Sequence, residues 1–379
     1  MRTTPALLLF LLSLVCVCAH AGDTHLTVHA DQILLNHRPT KLIGLRCSNA
    51  LISDAGTNGL IAAFDLYRSY GVNTVSVFLM GSRFGDVKGY LPDGSLNPVY
   101  RDRLERILRA TDERGMATIV GCLYWSTSRA KEDLTAWTQA DADKAVANTA
   151  RWLRDKGFTH VILDPDNEGM AVRAEGWSVE SLIRAAKAAY PDLVVANNTK
   201  QNPPNEDLNM HFGKPEAGKP WLDSEATPDK TPGGYWGRFS KQTHQAIEAR
   251  MANARRADNG SPVLQDQTSA SLPAENADIK KFYNYSRIGR YTAEMKADQF
   301  RQTREELERF NGYVFAGTWL QCGAAEGVGG PFTKPGGRSN LGSNSDEHAA
   351  WNTDIDTIHP DAGILWWLEF IRDTYGFQQ

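Results

Sequence analysis

From Lys41 to Trp319 the chain keeps returning to one unit, a short apolar run that ends on polar residues. The runs are Lys41 to Leu45, Val72 to Phe78, Ala117 to Leu123, His160 to Leu163, Leu193 to Ala196, Leu208 to Phe212, Pro220 to Leu222 and Tyr313 to Trp319. Helical apolar spacing fills most of the gaps. Leu60, Ile61, Phe64, Leu66 and Tyr67 share a face closed by Gly71, and a helix from Pro98 carries Leu104, Ile107 and Leu108 before Gly115. Further helices are expected over Asp141 to Lys156, Ser178 to Tyr190, Ser240 to Ala257, Glu294 to Phe310 and Ile364 to Tyr375. Alternating strand and helix predicts a parallel sheet, and a run of eight strands favours closure into a (β/α)8 barrel over an open sheet. Thr199 to Asp207 and the residues before Pro220 are too short for a helix, so the barrel wall should be thin there. Leu26-Thr27-Val28 and Ile33-Leu34-Leu35 precede the first strand as a small hairpin, with Asn36 to Pro39 as the following turn.

The N-terminus reads as a signal peptide. Arg2 is followed by an apolar run, Ala6 to Cys18, too short to span a bilayer comfortably, then by Ala19-His20-Ala21 before Gly22. The expected organisation is a signal over residues 1–21 and one barrel domain over 22–379, with long insertions on one face after Glu225 and after Gly323. Export to the periplasm or exterior follows from that reading. Removing Arg2 leaves 41 − 1 = 40 basic against 45 acidic residues, a balance that argues for no nucleic-acid partner. No later run is apolar enough to cross a membrane once the signal is gone, and a monomer is expected. Cys47, Cys122 and Cys322 are too few and too scattered for a disulfide framework. Cys47 and Cys322 should be neighbours, because strands one and eight adjoin in a closed barrel. There is no Cys-x-x-Cys and no Gly-x-Gly-x-x-Gly after the first strand, so neither a metal nor a cofactor is expected.

The chemistry should lie at the strand ends. Val161-Ile162-Leu163 runs into Asp164-Pro165-Asp166-Asn167-Glu168-Gly169, and Lys219-Pro220-Trp221-Leu222 runs into Asp223-Ser224-Glu225. A carboxylate at a rigid strand end is a candidate acid or base, although a loop acid capping the next helix uses the same residues. Two glutamates at two strand ends are what retaining sugar hydrolysis needs. In order and placement, Asn167-Glu168 after strand four, Lys219-Pro220 through Glu225 on strand seven, Trp319 ending strand eight, and the hairpin leading into Leu45-Arg46 resemble clan A glycoside hydrolases of the family 5 type.

The resemblance implies a (β/α)8 barrel enzyme that cleaves a β-linked glycan by double displacement. Glu168 would be the acid/base and Glu225 the nucleophile. Asn167 would donate to the sugar 2-hydroxyl, Trp319 would stack under the ring, and His211 would hold the pair or bind sugar. Tyr124 and Trp125, like Tyr235 and Trp236, fall in catalytic-side loops and suit sugar contact or the packing of those loops. Two positions depart from the family pattern. Ser76 stands where family 5 strands carry an arginine, with Arg46 or Arg83 as the substitute and Arg46 also expected among the substrate-binding residues, and Gly213 stands where a tyrosine follows the strand-six histidine. Asp164, Asp166 and Asp223 remain candidates for supporting acids or for an inverting pair, and Asp354-Ile355-Asp356 reads as a solvated loop before a calcium site. The alternative function is a non-catalytic carbohydrate-binding protein on the same barrel, favoured by the two departures and opposed by both glutamates.

Overall fold

The computed structural model describes residues 24–47, 50–51, 54–80, 87–125, 129–226, 293–316, 328–329, 338–339 and 365–376. Trp319, Cys322, Arg83, Tyr235, Trp236, the 354–356 segment, the 240–257 helix and the signal segment lie outside the described residues.

The chain opens with a three-stranded antiparallel sheet, β1 (Leu26–His29), β2 (Gln32–Leu35) and β3 (Arg38–Pro39). Asn36 and His37 take positive φ, 51° and 65°, and so make the tight turn between β2 and β3. The expected turn is thus shorter, and Arg38-Pro39 pairs with β2.

Eight strands then close a barrel: β4 (Leu42–Arg46), β5 (Thr74–Phe78), β6 (Ala117–Leu123), β7 (Val161–Asp166), β8 (Val194–Asn197), β9 (Leu208–Met210), β10 (Trp221–Ala226) and β11 (Gly312–Phe315). Every neighbouring pair is parallel, and β11 closes on β4. Around it lie α1 (Asp54–Ser69), α2 (Pro98–Asp112), α3 (Gln139–Lys156), α4 (Met170–Glu175), α5 (Val179–Ala189), α6 (Ala293–Arg309) and α7 (Leu365–Tyr375). Their ends follow local chemistry. Ser178 Oγ accepts from Ser181 N at 3.3 Å, and Gly157 ends α3 with φ 75°. No helix bridges β8 to β9 or β9 to β10, so the wall is thin where the short gaps predicted it.

Strand alternation makes two cores. Leu42, Ala117, Ile119, Ile162, Val194, Ala196, Leu208, Met210, Leu222 and Val314 fill the barrel interior, while Ile43, Leu45, Val75, Val77, Val120, Leu163, Val195, Tyr313 and Phe315 pack outward on the helices. Leu26, Ile33 and Leu35 join the interior set, so the hairpin plugs the N-terminal end. Thr24 fastens it, donating to Asp112 Oδ1 through N at 2.9 Å and accepting from Thr159 Oγ1 at 2.8 Å. The apolar interior stops before the C-terminal end, where Arg46, Ser76, Asp164, Asn198 and Ser224 are buried instead.

Candidate active site

Glu168 stands one residue beyond Asn167, past the end of β7, with φ 55°. A left-handed backbone at a non-glycine residue costs on the order of 1–3 kcal/mol and persists only where the surroundings enforce it. They do here. Asp166 accepts from Ala171 N at 3.0 Å and Val172 N at 2.8 Å, tying the strand end to α4. Gly169 repeats the positive φ and packs so closely on Thr199 that a Cβ would lie 3.0 Å from it. The chain turns sharply at Glu168 and leaves its carboxyl at the barrel mouth. Asp166 is thereby a structural cap.

Glu225 reaches the same place by a β-bulge. Asp223 pairs with Tyr313 and Ala226 with Phe315, so Ser224 and Glu225 together oppose Val314 alone. The extra residue breaks strict alternation and re-aims a side chain. Asp223 then supports both neighbours, with one oxygen accepting from Glu225 N at 3.0 Å and contacting His211 Nδ1 at 2.9 Å.

One carboxylate oxygen of Glu168, one of Glu225 and a ring nitrogen of His211 all lie within 4.8 Å of one another. Burial, then the charge of Glu225 beside it, pushes the Glu168 carboxyl well above the usual range. Burial works against a charge on His211, but Asp223, with Glu225 and Glu168 adding to it, raises the imidazole to about 9. Glu225 forms an ion pair with Arg46, Nη2 to Oε2 at 3.0 Å. Among the described residues these three are also the one His/carboxylate group close enough to share a cation. Arg46 and a protonated His211 oppose that use, and His211 Nδ1 is already committed to Asp223.

Arg46 organises the floor of the site. It is fully buried, and its Nη2 also donates to Asn167 Oδ1 at 3.0 Å. Phe78 lies 4.6 Å beneath the guanidinium and Tyr124 5.6 Å from it. Two small residues make room. Ser76 is the register partner of Arg46, and at Gly121 a Cβ would fall 2.0 Å from the Phe78 ring. Arg46 therefore occupies the space beside the residue where the family pattern carries its arginine, reached from the neighbouring strand. It is a positioning residue in place of the substrate contact expected of it, since its guanidinium is taken up by Glu225 and Asn167.

Tyr124 is 5 % exposed and packs edge-on to Phe78 at 5.5 Å, which makes it part of the Arg46 cradle. Trp125 is equally buried, lies 6.2 Å from Trp137 and 5.3 Å from Trp177, and donates Nε1 to Glu175 at 2.8 Å. Of the two readings open for these aromatics, packing is the one observed. Gly213 is also explained: a Cβ there would meet Asn197 O at 2.5 Å and Asn209 Oδ1 at 2.8 Å, so no tyrosine fits. A cavity of about 430 Å³ lined by Ile33, Lys41, Lys219, Trp221 and Phe310 lies at the hairpin end, and neither glutamate borders it.

Among solved structures, the chain is similar to a glycoside hydrolase family 5 structure from Bacteroides vulgatus, with TM-score 0.51 and 13 % identity over 86 % of this chain and 68 % of that one. The fold is a (β/α)8 barrel like that of this glycoside hydrolase structure. A family 5 mannosidase from Rhizomucor miehei aligns with TM-score 0.47 and 10 % identity over 94 % and 98 % of the two chains. A beta-1,4-D-mannanase from Cryptopygus antarcticus aligns with TM-score 0.39 and 11 % identity over 57 % and 85 %. No protein-family model matches the sequence, and no curated protein does. Likeness at this identity speaks to the fold alone.

Proposed function

We propose that the chain is an exported glycoside hydrolase that cleaves a β-linked oligo- or polysaccharide with retention of configuration. The observation that carries this reading is the close approach of Glu168 and Glu225, nearest atoms within 4.8 Å, in two different electrostatic settings. Retaining enzymes hold their carboxyl groups about 5–5.5 Å apart, and inverting enzymes need about 6.5–9.5 Å to admit a water. Glu168, kept protonated by burial and by Glu225, suits the general acid. Glu225, paired with Arg46, suits the nucleophile.

In the first step Glu225 attacks the anomeric carbon while Glu168 protonates the departing oxygen. The ester that forms has no charge, so Glu168 loses the repulsion that held its proton. It can then accept a proton from water, which attacks the same carbon and releases Glu225. Asn167, whose Nδ2 lies 3.5 Å from Glu168 Oε1, would donate to the sugar 2-hydroxyl. His211 borders the pair as a cation, and Trp319 remains the proposed ring platform.

Two variants test the assignment. With Glu225→Ala, turnover is lost and azide restores it, giving a glycosyl azide of inverted configuration. With Glu168→Ala, activated aryl glycosides still load, then stall, and azide releases a product of retained configuration. Near wild-type rates in both variants, or an inverted wild-type product, would overturn the pair. Export is tested by sequencing the N-terminus of secreted protein, with Gly22 expected first.

A further inference from the structure

Asn198 follows β8 and is 1 % exposed, and Asp164 on β7 is buried to the same degree. Asp164 Oδ2 accepts from Asn198 Nδ2 at 2.9 Å, and the same amide nitrogen approaches Asn167 Oδ1 at 3.4 Å. Asn198 Oδ1 accepts from Phe212 N at 3.3 Å, next to His211, whose backbone holds φ 45°. The side chain thus links three strand ends, at Asp164 and Asn167, at its own position, and at Phe212.

Its orientation is forced. Burial raises the Asp164 carboxyl to about 6, so above that pH it is a carboxylate that can only accept, and the nitrogen end of Asn198 faces it. A flipped Asn198 would set its oxygen against two acceptors, Asp164 Oδ2 and Asn167 Oδ1. Asn167 is constrained in turn. Its Oδ1 takes Arg46 Nη2 at 3.0 Å on one side and Asn198 Nδ2 on the other. One donor fixes one lone pair and leaves the amide free to swing about it, whereas two donors from different directions fix its plane. Nδ2, buried with the rest of the side chain, is then left toward Glu168, 3.5 Å from its Oε1.

We propose that Asp164 and Asn198 are positioning residues that lock the Asn167 amide so that its nitrogen is presented to the sugar hydroxyl next to the anomeric carbon. The proposal rests on the glycosidase reading above. A bond to that hydroxyl tightens in the transition state. Loss of the lock therefore appears chiefly in kcat, and only for substrates that carry the hydroxyl.

The test is the ratio of kcat/KM for the best aryl glycoside to that for its 2-deoxy congener, in wild type, Asn167→Ala, Asn198→Ala and the double exchange D164N/N198D. The exchange keeps a hydrogen bond within the pair but turns only acceptors toward Asn167, so it separates orientation from mere support of the fold. Thermal unfolding checks that each variant is folded. The ratio is expected to drop about tenfold in all three variants, the size of one lost hydrogen bond. A ratio restored in D164N/N198D would make the pair structural and overturn the proposal. If Asn167→Ala lowers the ratio and Asn198→Ala does not, the proposal also fails while the glycosidase reading stands. Wild type inactive on every glycoside would remove the glycosidase reading and this inference with it.

Discussion

Glu168 is held in two unfavourable states at once, a left-handed backbone and a carboxyl whose proton affinity is raised by burial and by Glu225. The second has a consequence for stability with a definite sign. The folded pKa lies above the ordinary value of 4.5. As pH rises past that value the unfolded chain releases this proton first, and the folded state becomes relatively less stable. Glu168→Gln removes the penalty and keeps a donor toward Glu225. The variant should be inactive on unactivated glycans yet melt higher than wild type, with the gain growing from pH 5 to pH 8. Differential scanning calorimetry at several pH values checks this, and a gain that is flat or shrinks with pH would contradict it. Such an exchange of stability for activity is common where a site needs strained or mismatched groups.

At the scale of elements, the site depends on how neighbouring strands share space. Gly121 on β6 admits the Phe78 ring from β5, and that ring carries Arg46 from β4. Three strands therefore set one guanidinium, which in turn holds Asn167 and Glu225. Gly121→Ala forces the ring aside, because the new methyl would fall 2.0 Å from it. Overpacking of this kind costs about 1–3 kcal/mol. The midpoint of urea denaturation should fall accordingly, and kcat/KM should fall further than the stability loss alone explains, because Arg46 moves with Phe78. Wild-type kinetics in a destabilised Gly121→Ala protein would separate the cradle from the chemistry. The β-bulge at Ser224-Glu225 belongs to this scale too: it sets where Glu225 points without changing the residue itself.

For the molecule as a whole, the end opposite the site holds a buried group whose titration should make the fold sensitive to acid. His160 enters β7 fully buried, with Nε2 3.1 Å from Thr111 Oγ1, near the Asp112 that anchors Thr24 of the hairpin. Burial lowers its pKa from 6.5 to about 4. Here the unfolded chain takes up a proton that the folded protein refuses. Stability is unaffected by this group above pH 6.5 and falls as pH drops from there toward 4, by roughly 3 kcal/mol at the full shift. His160→Gln should flatten that part of the stability profile, measured by denaturant unfolding between pH 4 and pH 7. An unchanged slope would place the acid sensitivity elsewhere.

The eight-strand alternation, the N-terminal hairpin, the thin wall and the placement of Asn167-Glu168 and Glu225 at two strand ends were legible in the chain itself. Each is written locally, in apolar period, in turn residues and in the polar residues that end a strand, and parallel closure brings all strand ends to one face. Strand ends were less legible. His160 to Leu163 alone looked like strand, but Asp164 to Asp166 continue it, because their polar side chains find Asn198 and the α4 amides in place of apolar partners. What only the tertiary structure decided was direction and company. The bulge that aims Glu225, the burial that turns Trp125 and Tyr124 from sugar contacts into packing, and the crossing of Arg46 into the space left by Ser76 all depend on residues far apart in sequence. No local signal marks them, since a side chain's surroundings in a barrel come from its neighbouring strands.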